Sequence, residues 1–241
     1  MDKQPVIFRD LGVIGYQSAW DYQEKLLQEN LAVKSEARIS SSALQPKELP
    51  TQHYFLFCEH PPVYTLGKSG SMDNVLMSED QLAARGIEFF RTNRGGDITF
   101  HGLQQIVGYP IFDLEKFYTD IGRYLRNMEE AIILTIAEYG IRGERSKGET
   151  GVWVDPGIPG RERKIAAIGV RCSRWITMHG FALNVNTDLD YFNNIIPCGI
   201  QNKQVTSIEK ETGARVDYEE VKLKLKKNFE KAFDIFLQEG N

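Results

Sequence analysis

The sequence is poor in the features that mark several protein classes. It has only three cysteines in 241 residues, Cys58, Cys172 and Cys198. Three is an odd number and the cysteines lie far apart, so the pattern favours neither a disulfide framework nor a zinc site, and it fits a reducing cytoplasm. No run approaches the ~18 apolar residues of a membrane-spanning helix, and residues 1–8 lack the apolar stretch of a secretory signal. We therefore expect a cytoplasmic protein with no membrane partner.

An excess of basic residues is also missing. Lys and Arg number 29 against 33 Asp and Glu, which gives a net charge of -4. Nucleic-acid-binding proteins usually carry a basic excess, so we expect no nucleic-acid partner. The length suits a single domain over residues 1–241. Within it, residues 34–50 are rich in Ser, Lys, Glu and Ala, which predicts a mobile surface loop between a helix and a strand.

The hydrophobic pattern predicts both helices and strands. Apolar residues at three- and four-residue spacings predict helices at residues 18–32, 120–139 and 217–236. Gly140 is placed to end the second helix in the left-handed conformation, and Asp217 with Glu220 forms a candidate capping box at the start of the third. Runs rich in β-branched and aromatic residues predict seven strands, at 54–58, 63–66, 87–91, 106–112, 151–154, 164–171 and 175–185. The whole pattern predicts an α+β fold, a mixed sheet with helices packed on one face.

Two residues are candidates for nucleophilic chemistry. Cys198 lies in the run Asn-Ile-Ile-Pro-Cys-Gly-Ile, and Lys164, thirty-four positions upstream, opens the run Lys-Ile-Ala-Ala-Ile-Gly-Val. A cysteine attacks as its thiolate, and a nearby cation or base helps to form that thiolate. The alternative is that Cys198 packs as a small hydrophobic residue and Lys164 is a surface charge on an edge strand.

Three further segments accompany this pair. They are Glu-His-Pro-Pro-Val-Tyr-Thr-Leu-Gly-Lys from Glu59, Arg-Gly-Gly-Asp-Ile-Thr-Phe-His-Gly from Arg94, and His-Gly-Phe-Ala-Leu-Asn-Val-Asn from His179. Together with the Lys and Cys segments, and in this order, they closely resemble the lipoyl(octanoyl) transferases over about residues 54–207. That family usually carries Pro-Gly-Gln after the second His-Gly, whereas Leu-Gln-Gln stands here at 103–105.

The resemblance implies the fold of the biotin and lipoate protein ligases and a defined reaction. An octanoyl group would pass from octanoyl-acyl carrier protein to a lysine of lipoyl domains, the first step of protein lipoylation. The implied acceptors are the lipoyl domains of 2-oxoacid dehydrogenase complexes and the glycine cleavage H protein. Cys198 would hold the acyl group as a thioester beside Lys164, with no cofactor and no metal. The residues implied to line the octanoyl and thioester site are Arg94, Gly95, Gly96, Asp97, Ile98, Thr99, Phe100, His101, Ala167, Ile168, Gly169, Gly180, Phe181 and Ala182.

The chemistry assigns two roles to Lys164. Transfer of an acyl group from a thioester to an amine is downhill, so ATP is not required. As a cation, Lys164 favours the Cys198 thiolate. Once the sulfur is acylated, apolar surroundings disfavour the ammonium, and the neutral amine can take the proton of the incoming acceptor.

The remaining motif residues are interpreted as parts of the site's walls. His60, His101 and His179 are candidates for polar walls or for residues that hold loop geometry, rather than for metal ligands, because they lack a paired spacing. The glycines at 95, 96, 169 and 180 are interpreted as positions where the backbone approaches the substrate closely.

Two other functions are compatible with these residues. An ATP-using lipoate ligase of the same fold activates a carboxylate as an adenylate, and it needs no nucleophilic cysteine beside the lysine. A non-catalytic acyl-binding or assembly protein would keep the pocket but not the turnover, and the presence of both Cys198 and Lys164 argues against it.

Overall fold

The computed structural model describes residues 3–39, 45–196 and 204–240. Within these ranges the strands are β1 (Gln4–Val13), β2 (Tyr54–Glu59), β3 (Val63–Leu66), β4 (Glu88–Arg91), β5 (Ile98–His101), β6 (Gln105–Ile111), β7 (Gly143–Glu144), β8 (Val152–Val154), β9 (Arg163–Ser173), β10 (Ile176–Asn184), β11 (Gln204–Val205) and β12 (Ile235–Glu239). The α-helices are α1 (Tyr16–Ile39), α2 (Glu79–Ala84), α3 (Ile121–Ala137), α4 (Ile208–Thr212) and α5 (Tyr218–Phe233). All seven predicted strands and all three predicted helices are present, and none of the described helices is long and apolar enough to cross a membrane.

The strands form two sheets rather than one. The large sheet has the order β12-β1-β2-β6-β10-β9-β8-β7, and β11 pairs with β9. The pairs β12–β1, β1–β2 and β11–β9 are parallel, and the others are antiparallel, which makes the sheet mixed as predicted. The small sheet has the order β4-β3-β5. The sequence did not indicate this division, because hydrophobic runs do not specify which strands pair.

Helices cover both faces of the large sheet, so the predicted one-face arrangement is wrong. On β2, Phe55 and Phe57 pack into the core formed with α3 and α5, whereas Leu56 and Cys58 pack into a second core with α1. Successive residues of a strand face opposite sides of its sheet, so a strand that is apolar throughout needs a layer on each side.

The observed ends of α3 and α5 agree only in part with the ends predicted from the sequence. Gly140 follows α3 with φ +75°, the left-handed conformation that was predicted. At the start of α5 the Asp217 carboxylate accepts from the backbone N–H of Glu220. The predicted extension of this helix to Phe236 is wrong, because Asp234 adopts a left-handed conformation, φ 53°, and the chain then enters β12 beside β1.

The predicted loop of residues 34–50 is where the structure departs most from the sequence analysis. α1 continues to Ile39, and Lys34, the predicted start of the loop, is only 5% exposed. Its Nζ donates to Asp113 Oδ1 at 2.6 Å, to Glu115 Oε2 at 2.8 Å and to a backbone carbonyl of the β9–β10 turn at 2.9 Å. The charge is buried against partners that are distant in sequence, and local composition does not reveal them. Residues 40–44 of the predicted loop lie outside the described residues.

We expect Lys34→Met to lower the free energy of unfolding by about 3 kcal/mol, because it leaves the fully buried Asp113 carboxylate without its cation. Urea unfolding followed by circular dichroism measures this difference. Lys25→Met is the matched control on the same helix, since Lys25 is exposed and its ion pair with Glu29 spans 4.0 Å. Exposed ion pairs contribute only about 0–1 kcal/mol to the free energy of unfolding. Equal losses in the two variants would contradict a structural role for the buried pair.

Candidate active site

A cavity of about 460 Å³ is lined by both sheets. β6, β9 and β10 of the large sheet contribute residues on one side, and the segment from Arg94 to His101 contributes residues from the small sheet and its approach loop. Of the fourteen residues that the sequence analysis assigned to the acyl site, thirteen line this cavity.

Phe100 is the exception. On β5, Thr99 and His101 line the cavity, and the residue between them faces the other side of the strand. The Phe100 ring therefore packs in the core of the small sheet, stacked on Tyr191 with centroids 4.5 Å apart. The motif match covered consecutive residues of β5, so it could not show which of them face the cavity and which face the core.

Arg94 holds the loop that precedes β5. It is 8% exposed, and its guanidinium donates to the backbone carbonyls of Thr65 at 2.6 Å and Asp97 at 2.9 Å. The next residue, Gly95, donates its backbone N–H to the Val170 carbonyl of β9 at 2.9 Å. These bonds fix the loop against both sheets and so position this part of the cavity wall.

The cavity glycines are required by close contact with the protein's own backbone. A Cβ added to Gly180 would lie 2.0 Å from the Gly108 carbonyl oxygen on the neighbouring strand. A Cβ added to Gly169 would lie 2.7 Å from the Gly95 oxygen. The sequence analysis interpreted these positions as close approaches to the substrate, whereas the approaching atoms at Gly169 and Gly180 belong to the Arg94 loop and to β6.

Lys164 lines the cavity from an interior strand. At Lys164, β9 has β8 on one side, through Trp153, and β11 on the other, through Val205, so the alternative of an edge-strand charge is excluded. The Lys164 Nζ lies 4.6 Å from the centroid of the Trp153 ring, its partner residue on β8. Gly151 stands beside Lys164 with φ +119°, and a Cβ there would lie 2.5 Å from the Ala166 carbonyl oxygen, so the backbone at this position requires glycine.

Cys198 lies outside the described residues, but the chain on each side of it is described. Upstream, the backbone N–H of Ile196 donates to the Asn74 carbonyl at 2.8 Å. Downstream, β11 pairs with β9 so that Val205 stands opposite Lys164, and Gln204 and Val205 line the cavity. The chain that carries Cys198 therefore returns to Lys164 seven residues after the cysteine.

The motif histidines are buried and neutral. Burial lowers the pKa of His101 and His179 to about 3 and that of His60 to about 4. His101 and His179 line the cavity, whereas His60 accepts from the hydroxyl of Tyr109, a lining residue, at 2.7 Å. At neutral pH, His101 and His179 are therefore uncharged polar parts of the cavity wall, and His60 holds Tyr109 in place. No group of three or more His, Cys, Asp or Glu among the described residues is arranged to hold a metal ion.

Sequence reasoning missed several lining residues. Gln105 and Asn184 are joined by a 2.8 Å hydrogen bond across β6 and β10, and both are part of, or next to, the matched motifs. No motif marked three other lining residues, because only the packing of α1, β6 and β8 brings them to the cavity. These residues are Tyr16, Tyr109 and Trp153.

The unusual Leu-Gln-Gln sequence keeps a tight turn after His101. Gln104 adopts φ 61° where the resembling family has glycine, and its backbone N–H donates to Glu59 Oε2. Its carbonyl accepts from the Asn186 N–H at 3.1 Å, and its side chain accepts from the Asn186 amide at 2.9 Å. These bonds offset the cost of a left-handed non-glycine residue, which is about 1–2 kcal/mol.

Comparison with known proteins places the chain in a family. Residues 15–230 match the model of the lipoyl protein ligase A/B catalytic domain, which is most of the chain. Among solved structures, a bipartite lipoate protein ligase from Thermoplasma acidophilum superposes with a TM-score of 0.68 at 18% identity, covering 100% of this chain and 87% of the other. A lipoate-protein ligase A with bound ATP gives 0.68 at 16% identity, covering 100% and 89%. The chain belongs to the lipoyl protein ligase A/B catalytic-domain family and has the lipoate-ligase fold.

Curated relatives show which type of enzyme within this family the chain resembles. An octanoyltransferase of Christiangramia forsetii is 55% identical over 99% of both chains. An octanoyltransferase of Flavobacterium psychrophilum is 59% identical over 94% of this chain and 95% of its own. The protein is an acyltransferase, and the resemblance to octanoyltransferases stated from the sequence is confirmed.

Proposed function

We propose that the protein moves an octanoyl group from octanoyl-acyl carrier protein to a lysine of lipoyl domains, by way of a thioester on Cys198. The proposed acceptors are lipoyl domains of 2-oxoacid dehydrogenase complexes and the glycine cleavage H protein, and the proposed location is the cytoplasm. The observation that carries the proposal is that Lys164 lines the acyl cavity and the chain bearing Cys198 returns opposite it at Val205.

The cavity suits the proposed acyl group. Val107, Ile168 and Ala182 give it apolar walls on three neighbouring strands. An alkyl chain buried there gains about 0.8 kcal/mol per CH₂ removed from water. The carbonyl end of the chain then lies at the end of the cavity where Lys164 is found.

In the first half-reaction the Cys198 thiolate attacks the donor thioester. The C–S bond to the carrier breaks, the carrier leaves as its thiol after taking a proton, and the octanoyl group is held on Cys198. An ordinary thiol with a pKa of about 8.5 is only a few per cent ionised at neutral pH, so a cation beside it is needed. Lys164 supplies that cation.

In the second half-reaction the acceptor amine attacks the Cys198 thioester. The C–N bond forms, the C–S bond breaks and the Cys198 thiolate is restored. The amine must lose a proton, and Lys164 takes it. General base catalysis of this kind contributes about 10²- to 10⁴-fold.

Intact-mass spectrometry tests this function directly. We expect octanoyl-acyl carrier protein alone to add one octanoyl group to the protein, and a lipoyl domain added next to remove it and gain the same mass. Peptide mapping should locate the adduct on Cys198. Free octanoate with ATP is the competing arm, since the solved structures of the same fold include ligases. Transfer from octanoate and ATP, with none from the carrier protein, would replace the proposal with an ATP-using ligase.

A further inference from the structure

Residues 74–76 hold the segment that leads into Cys198. Residues 194–196 pair with them in an antiparallel arrangement, through backbone hydrogen bonds of 2.8 and 2.9 Å. The shorter bond joins the N–H of Ile196, two residues before Cys198, to the carbonyl of Asn74. Two residues of chain span at most about 7 Å. The position of Asn74 therefore limits where the Cys198 sulfur can stand.

Two contacts anchor residues 74–76 themselves. Val75 packs against the core of the small sheet, a hydrophobic contact that has no preferred direction. Asn74 supplies a directional contact, because its side-chain amide donates to Asp97 Oδ2 at 2.7 Å. A hydrogen bond to a carboxylate is roughly twice as strong as one between neutral groups. The carboxylate of Asp97 therefore fixes the orientation of the residue that holds Ile196.

Asp97 is in turn fixed in the wall of the acyl cavity. It lines the cavity, and its other carboxylate oxygen, Oδ1, accepts from the Ile98 backbone N–H at 2.7 Å. Its carbonyl accepts from the Arg94 guanidinium at 2.9 Å and from the Gly67 N–H at 3.2 Å. Both carboxylate oxygens thus have partners within the protein, one of them Asn74. This arrangement favours a positioning role over substrate binding or proton transfer.

We propose, on the basis of the function proposed above, that Asp97 and Asn74 are positioning residues for the nucleophile. The Asp97 carboxylate holds Asn74, and the Asn74 carbonyl holds the chain two residues before Cys198. This keeps the sulfur within reach of Lys164. A misplacement of about 1 Å at a reacting group can cost about 100-fold in rate, so a single hydrogen bond at this point matters to the reaction.

Single-turnover acylation by octanoyl-acyl carrier protein provides the first test. We expect Asn74→Ala to lower the maximal rate about 10- to 100-fold. The donor concentration that gives half the maximal rate should not change, because Asn74 is not among the residues that line the cavity. Asp97→Ala should also be slow, and the double variant should be no slower than Asp97→Ala, since both changes remove the same hydrogen bond. Asp73→Ala is the matched control, because Asp73 is exposed and accepts from the Ser71 hydroxyl at 2.9 Å.

Alkylation of Cys198 by iodoacetamide across pH, followed by peptide mass mapping, provides a second test that needs no donor. Beside Lys164 the thiol pKa should lie below the ~8.5 of an ordinary thiol, and in Asn74→Ala and Asp97→Ala it should rise toward that value. Loss of a nearby carboxylate by itself would lower a thiol pKa, so a rise in Asp97→Ala reports lost position rather than changed charge. Cys58 is buried, so its resistance to alkylation shows that a variant is folded.

Unchanged alkylation and acylation in Asn74→Ala would overturn the positioning role. Damage confined to Asp97→Ala would overturn it as well, because the carboxylate would then act on the substrate. Both results leave the proposed function intact if the unaltered protein acquires the octanoyl group. If it acquires none from the carrier protein, the proposed function fails, and the alkylation profiles of the variants still decide the positioning role. If Asp97→Ala exposes Cys58 to alkylation, Asn74→Ala decides alone.

Discussion

Replacement of Cys198 by alanine is expected to abolish both the octanoyl adduct and the transfer to lipoyl domains, with a loss of at least about a thousandfold in rate. Neither of the other two cysteines is among the described residues that line the cavity, so the thioester route has no second thiol there. Removal of a nucleophile generally costs most of the catalytic acceleration. Intact mass after addition of donor, and product formation after addition of acceptor, measure the two losses on one sample.

The two other cysteines provide the comparison. Cys172 is exposed and Cys58 is buried, with burial raising the pKa of its thiol well above the ordinary value. We expect Cys172→Ala to keep full activity and to acquire the adduct normally. An adduct that maps to Cys172, or full activity in Cys198→Ala, would refute the assignment of the nucleophile.

Replacement of Lys164 by arginine is expected to separate the two half-reactions. Arginine retains the positive charge that favours a thiolate, but it cannot be deprotonated in a protein. The variant should still gain an octanoyl group on Cys198, more slowly because the guanidinium must fit beside Trp153 and Gly151. Release to the acceptor amine should slow by about 10²- to 10⁴-fold, so that acyl-enzyme accumulates.

The measurement has two stages, with intact mass recorded after the donor is added and again after the acceptor is added. Lys226→Arg is the matched control, because it makes the same chemical change on α5, where Lys226 pairs with Glu239 away from the cavity. Equal slowing of both stages in Lys164→Arg would mean that the lysine acts only by charge or packing, and the general-base role would be abandoned.

The sequence by itself determined the parts of this protein that depend on local pattern. Apolar spacing located α1, α3 and α5, and β-branched runs located seven strands, because periodicity and turn residues act within a few positions of the chain. The motifs identified the acyltransferase family and thirteen residues of the cavity wall. The sequence indicated that Gly169 and Gly180 are sites of close approach to the substrate, but it did not indicate that the backbones of the Arg94 loop and β6 lie against them.

Only the tertiary structure decided the rest, because it depends on contacts between distant segments. The doubly covered sheet, the burial of Lys34 against Asp113 and the inward packing of Phe100 each follow from which elements meet. The same holds for Tyr16, which reaches the cavity because α1 packs across β6 and β10. Alternation along a strand is local, but the element that each face meets, and hence which side chains are buried or line the cavity, is set by segments distant in sequence. The motifs therefore located Lys164 and most of the cavity wall, and the packing of α1 supplied Tyr16.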